Sequence, residues 1–161
     1  MSDLKITISE QITLPNRNIE TSVNTITIPG INQIIKRIDT ITTNFSGSGI
    51  EIIKFVDSEA QQTAGSFVKD QVKYIRITNL SDSGSCDLYL ISTENESSIF
   101  NLSPGKSLML GNADFNVSST NDYVVENYVD QEYYSSFNFY DTIKAKASGS
   151  NVSLEYIVAS L

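Results

Sequence analysis

The chain has no histidine, a single cysteine and no tryptophan. The side chain that most often moves protons near neutral pH is therefore missing. Cys86 stands beside the turn-like segment SDSGS at 81–85. With no histidine to activate it and no second cysteine to pair with, it reads as a small strand residue rather than a nucleophile. Four carboxylates fall close together in sequence: Asp122, Glu126, Asp130 and Glu132. Calcium needs converging oxygens, but this spacing matches no calcium loop and the glycine of an EF-hand loop is absent. A glycosidase would need a carboxylate pair across a cleft, and no cleft signature singles out a pair among the 19 acidic residues. The expectation is a chain without catalytic activity, cofactor or metal.

The residues best suited to chemistry of another kind are aromatic. The segment 112–140 holds Tyr123, Tyr128, Tyr133, Tyr134 and Tyr140, five of the chain's eight tyrosines, in a background of Asn, Ser, Asp and Glu. Tyrosine offers a large contact area at low entropic cost, and Asn and Ser adapt their hydrogen bonds, as in loop-built binding surfaces. Tyr123, Tyr128, Tyr133, Tyr134 and Phe137 are the candidate interface residues. The competing reading is that these aromatics fold back to cap one end of the core, and a cap can also serve as a subunit contact.

The elements that must position them are strands. The runs KYIRITN at 73–79, DLYLI at 87–91 and VSLEYIVA at 152–159 alternate apolar and polar residues, the mark of half-buried β-strands. LKITI at 4–8 and SVNTITI at 22–28 alternate in the same way, and the second stops at the turn signal Pro29-Gly30. The stretch 33–45 is ambiguous. Ile31, Ile34, Ile35, Ile38 and Ile41 fall at helical spacing, yet the wealth of Ile and Thr favours a strand, with a short helix as the alternative. Two hairpins are expected, one joining 73–80 to 86–92 and one joining 142–147 to 152–159 at the end of the chain. In the second, Ile143, Ala145 and Ala147 would oppose Val152, Leu154, Tyr156 or their neighbours.

Roughly nine or ten short strands separated by turns predict an all-β fold, a single β-sandwich or jelly-roll-like domain. Residues 1–30 form an extended N-terminal arm with the first strands, and residues 31–161 form the sandwich with the Tyr-rich insertion 112–140.

The net charge is -8 and the pI about 4.4, with basic residues scattered along the chain. That argues against nucleic-acid binding, which draws on clustered Lys and Arg. No apolar run approaches the roughly 20 residues that span a bilayer, and the first residues show no apolar signal core. Synthesis in a cytoplasm without membrane association is expected.

The run KYIRITNL at 73–80, the alternating strand after it and LSPGKSLML at 102–110 resemble small virion structural proteins of tailed bacteriophages. The ending IKAKASGSNVSLEYIVA at 143–159 is similar to the same kind of protein. The resemblance implies a β-sandwich that decorates the head or belongs to the tail or adsorption apparatus. The functional expectation is a non-enzymatic structural component of a phage particle. It would be made in the bacterial host cytoplasm, located in the virion and present in many copies as a homo-oligomer. It would act through multivalent contacts with its own kind and with other virion proteins. The alternative is a carbohydrate- or receptor-binding module, with Tyr123, Tyr128, Tyr133 and Tyr134 stacking on a host surface glycan or receptor.

Overall fold

The computed structural model describes residues 2–12, 20–45, 47, 49–111 and 137–161. These residues form eleven strands in three sheets. β1 (Ser2–Ile12) and β2 (Glu20–Ile31) form an antiparallel ribbon of their own. A second sheet has β3 (Gln33–Ile41), β11 (Val152–Ser160), β6 (Val72–Asn79) and β9 (Ser107–Gly111) in that spatial order. A third has β5 (Ser66–Val68), β4 (Ile50–Val56), β10 (Tyr140–Ser148), β7 (Ser85–Ser92) and β8 (Ser97–Leu102).

The pairing follows one rule. β7 pairs with β8, β6 with β9, β4 with β10 and β3 with β11, all antiparallel. Each pair encloses the previous one in sequence, so the body is a single long hairpin rolled over itself. Rolling leaves alternate pairs in opposite sheets, and β10–β7 and β11–β6 contacts then seal each sheet. This is the jelly-roll arrangement, an open sandwich rather than a closed barrel.

Alternation in the sequence decides which side faces inward. Val152, Leu154, Tyr156 and Val158 of β11 and Ile75 and Ile77 of β6 point into the core. From the facing sheet come Ile143, Ala145 and Ala147 of β10 with Cys86, Leu88 and Leu90 of β7. Most of these side chains are fully buried. The residues expected to oppose one another at the chain's end share one core, but they enter it from different sheets.

That distinction corrects both expected hairpins. β6 and β7 lie in different sheets, and so do β10 and β11. The turns at 80–84 and 149–151 carry the chain over the end of the sandwich, across the roughly 10 Å between packed sheets. Alternation specifies the buried side of a strand. It is silent on whether the next turn moves sideways within a sheet or over to the facing one. The first arch is pinned by Asn79, which is fully buried. Its side-chain amide donates to the carbonyls of Gly84 and Leu102, and its oxygen accepts from the Ser81 amide. The two arches touch: a Cβ on Gly84 would collide with the Ser150 hydroxyl, and Gly84 also has φ +82°.

The stretch 33–45 does contain a strand, β3. Pro29-Gly30 does not end β2. It marks a bulge, where Ser2 pairs with Ile31 but Leu4 with Ile28, and Gly30 supplies the positive φ of 78°. After this kink the chain passes almost directly into β3.

Candidate interaction surfaces

Of the five candidate interface residues, Tyr123, Tyr128, Tyr133 and Tyr134 lie outside the described residues, as do Asp122, Glu126, Asp130 and Glu132. Phe137 is described, and it lies in the core instead: it is 4% exposed and stacks on Phe55 with ring centroids 5.6 Å apart. At this position the capping reading describes the geometry. Cys86 is likewise a buried strand residue, and burial pushes its thiol up to about 11, which keeps it protonated at neutral pH.

Apolar residues reach the surface at several places, two of which are built by the longest strands. The first is the β1–β2 ribbon. Its register puts Leu4 beside Ile28 and Ile6 beside Ile26 on one face, with Ile8 next in line. The opposite face carries Lys5, Thr7, Thr25 and Thr27, and the Thr7 and Thr25 hydroxyls lie 3.2 Å apart. Most of the apolar stripe is anchored: Leu4, Ile6, Ile26, Ile28 and Ile31 gather against Tyr74 and Ala159, and Ile8 is half-buried beyond them. Further out, Ser9, Glu10, Gln11, Ser22, Val23 and Asn24 are exposed. An isolated two-stranded ribbon is marginal in water, so this anchoring matters.

The second surface is the outer face of the β3–β11–β6–β9 sheet. Ile34 and Ile38 of β3 and Met109 of β9 are exposed there, at 56%, 58% and 46%. Between them Glu155 of β11 is held by Lys36 at 2.6 Å and Arg76 at 2.8 Å, one from each neighbouring strand. These partners sit diagonally across the ladder, within reach of long side chains. The Lys36 hydrogen bond, with help from Arg76, holds the Glu155 carboxyl below its ordinary value against the opposing effect of burial. Sequence reading missed this triad because each member looks like an ordinary polar alternate. The signal was Glu155 itself, an acid in an otherwise apolar and neutral strand whose two neighbours carry bases.

Two further contacts tie the frame together. Lys69, after β5, bridges Asp57 at 2.8 Å and Asp141 at 3.1 Å. Burial disfavours its charge, but the two carboxylates outweigh burial and raise its pKa above 10.5. Tyr156 donates its hydroxyl to Asp39 at 2.5 Å, and burial and that carboxylate push it up to about 12. These groups fasten strands to one another. Among the described residues no set of three or more His, Cys, Asp or Glu side chains is placed to hold a metal, and no helix is long and apolar enough to cross a membrane.

Comparison with protein-family models, with curated proteins and with solved structures finds no match in any of the three.

Proposed function

We propose that the chain is a non-enzymatic structural component of a phage particle, a head-decoration or tail-associated protein acting through multivalent subunit contacts. The observation that supports this most is the ribbon. The jelly roll buries its own core, whereas β1–β2 forms a separate two-stranded sheet whose apolar stripe leaves Leu4, Ile6, Ile8 and Ile26 half-buried. A ribbon of this kind is suited to lying in a groove or along a sheet of a neighbouring subunit. Jelly rolls recur in viral capsid and lectin domains, so the sandwich alone serves either role. The ribbon favours assembly over a free-standing lectin. Repetition in a particle lets contacts of modest strength hold together.

The test is complementation of a phage lacking the gene with full-length chain or with a chain lacking residues 1–27, which keeps the anchoring Ile28 and Ile31. The full-length protein should appear in purified particles by antibody labelling in negative stain. The shortened protein should fold, with unchanged β-type circular dichroism, and be absent from them. Absence of the full-length protein from particles would overturn the reading. Normal incorporation of the shortened protein would overturn the ribbon's part in it.

A further inference from the structure

The two sheets of the body end in four edges, and they are not equally guarded. β3 carries Lys36, Arg37 and Asp39, charges that discourage pairing with another strand. β5 is three residues long and buried throughout. β9 is described over five residues, and its Leu108 and Leu110 pack against the core. β8 is different. Its six residues, SSIFNL, include no charge and no proline in a chain of net charge -8. Its ladder with β7 runs without a bulge from Cys86–Leu102 to Ile91–Ser97, and five of its six residues are exposed. Ile99 and Phe100 at its centre are 57% and 40% exposed.

The hydrogen-bond phase of this edge can be read. The Ser92 amide donates to the Glu96 carbonyl at the turn, at 2.8 Å. In an antiparallel ladder hydrogen-bonded pairs alternate with non-bonded ones. Ser98, Phe100 and Leu102 therefore turn their backbone groups toward β7, while Ser97, Ile99 and Asn101 turn theirs away from it. Among the described residues β7 is the one sheet neighbour of β8.

We propose that β8 pairs antiparallel with β8 of a second copy about a twofold axis at Ile99, joining two subunits through one continuous sheet. In this register Ser97 of each copy meets Asn101 of the other and Ile99 meets its own mate. All three outward-turned residues are then used, and apolar lies against apolar. A twofold contact is self-complementary by construction, and an uncharged strand can meet its copy without the repulsion that the rest of this acidic chain would impose. The pairing is independent of the particle reading, because purified chain alone suffices to test it.

Light scattering after size-exclusion at about 100 µM, enough to populate a micromolar complex, should show a dimer. Ile99→Lys should convert it to monomer with an unchanged melting profile, and Met109→Lys, on the edge of the other sheet, should leave it a dimer. Ile99→Cys provides a readout that does not depend on the lysine variant folding. Facing residues in a hydrogen-bonded antiparallel pair lie about 5.5 Å apart at Cα, within disulfide range. Mild oxidation should link this variant into a covalent dimer and leave Ile34→Cys largely unlinked. A monomer at this concentration, a dimer that withstands Ile99→Lys, or Ile99→Cys linking no faster than Ile34→Cys would each overturn the proposal.

Discussion

The β1–β2 ribbon and the β3–β11 pair are both long antiparallel ladders rich in Ile, yet they are held in different ways. The ribbon joins strands that are neighbours in sequence, and Thr7–Thr25 and Ile6–Ile26 are typical of its cross-strand pairs. β3 and β11 come from opposite ends of the body: Ile41 pairs with Val152 and Gln33 with Ser160. Their inner residues meet a facing sheet, and Ile41, Val152 and Leu154 are fully buried. The ribbon's apolar residues pack on Tyr74 and Ala159, and its Gly30 lies close to Leu161. Alternation makes a strand in both places, but a second layer makes only one of them part of a core. Local pairing is easily closed and weakly rewarded. The nested pairing costs loop entropy first and is repaid by burial on both sheets.

The largest effects should come from breaking the deep member of this comparison. β11 is central, flanked by β3 and β6, so a chain ending at Gly149 should not fold to a soluble form. Leu154→Ala, at a fully buried site, should cost about 2–5 kcal/mol in urea unfolding. Ile6→Ala on the ribbon should cost about 1 kcal/mol or less, the scale of a cross-strand pair. Equal losses at the two positions would mean that the ribbon belongs to the cooperative core.

The same contrast explains what could be read from the sequence. The strands, their inward faces and the all-β class follow from alternation, because a residue that must leave water recurs at every second position. The order of the strands does not follow. The turns at 80–84 and 149–151 have the Ser, Asp and Gly content of hairpin loops, and only the buried Asn79 and the crowding at Gly84 distinguish an arch. β3 looked partly helical for a physical reason. Ile35 and Ile41 turn inward while Ile34 and Ile38 turn outward, so apolar residues on both faces imitate a helical repeat. The candidate surfaces were legible to a smaller degree. Within the expected arm, Ser2–Ile12 and Glu20–Ile31 form a strand pair, whereas Phe137 belongs to the core and the Lys36–Glu155–Arg76 triad depends on a register that no local pattern reveals.

An effect of intermediate size lies on the outer face that β3 and β11 share. Glu155 is held below its ordinary carboxyl value by Lys36 and Arg76, so it contributes stability at pH above the ordinary carboxylate range. That contribution is lost as the pH falls through the lowered value, where folded and unfolded chains both bind the proton. Glu155→Gln should destabilise by about 1 kcal/mol at pH 7, since both cations keep contact with water. The gap from the unsubstituted chain should narrow toward pH 3. Lys69 makes the opposite case: its raised pKa gives stability that is complete below 10.5 and lost as the pH rises through the raised value. A Glu155→Gln difference that stays constant from pH 7 to pH 3 would show that shape, not charge, is what matters at this site.

The smallest effect sharpens the comparison from the ribbon's side. Thr7 and Thr25 face each other on the polar face, hydroxyl to hydroxyl, away from the stripe that meets Tyr74. Replacing both by Ala removes one exposed cross-strand pair, which is worth roughly 0.2–1 kcal/mol to the ribbon. If the ribbon opens separately from the body, global unfolding in urea should not change. Amide hydrogen exchange at 4–8 and 24–28 should then accelerate by up to about fivefold, the rate equivalent of 1 kcal/mol when exchange follows the opening equilibrium. Exchange within β11 should stay as it was. Faster exchange in β11 as well would mean that ribbon and body open together, and the two ladders would then differ in degree of burial but not in cooperativity.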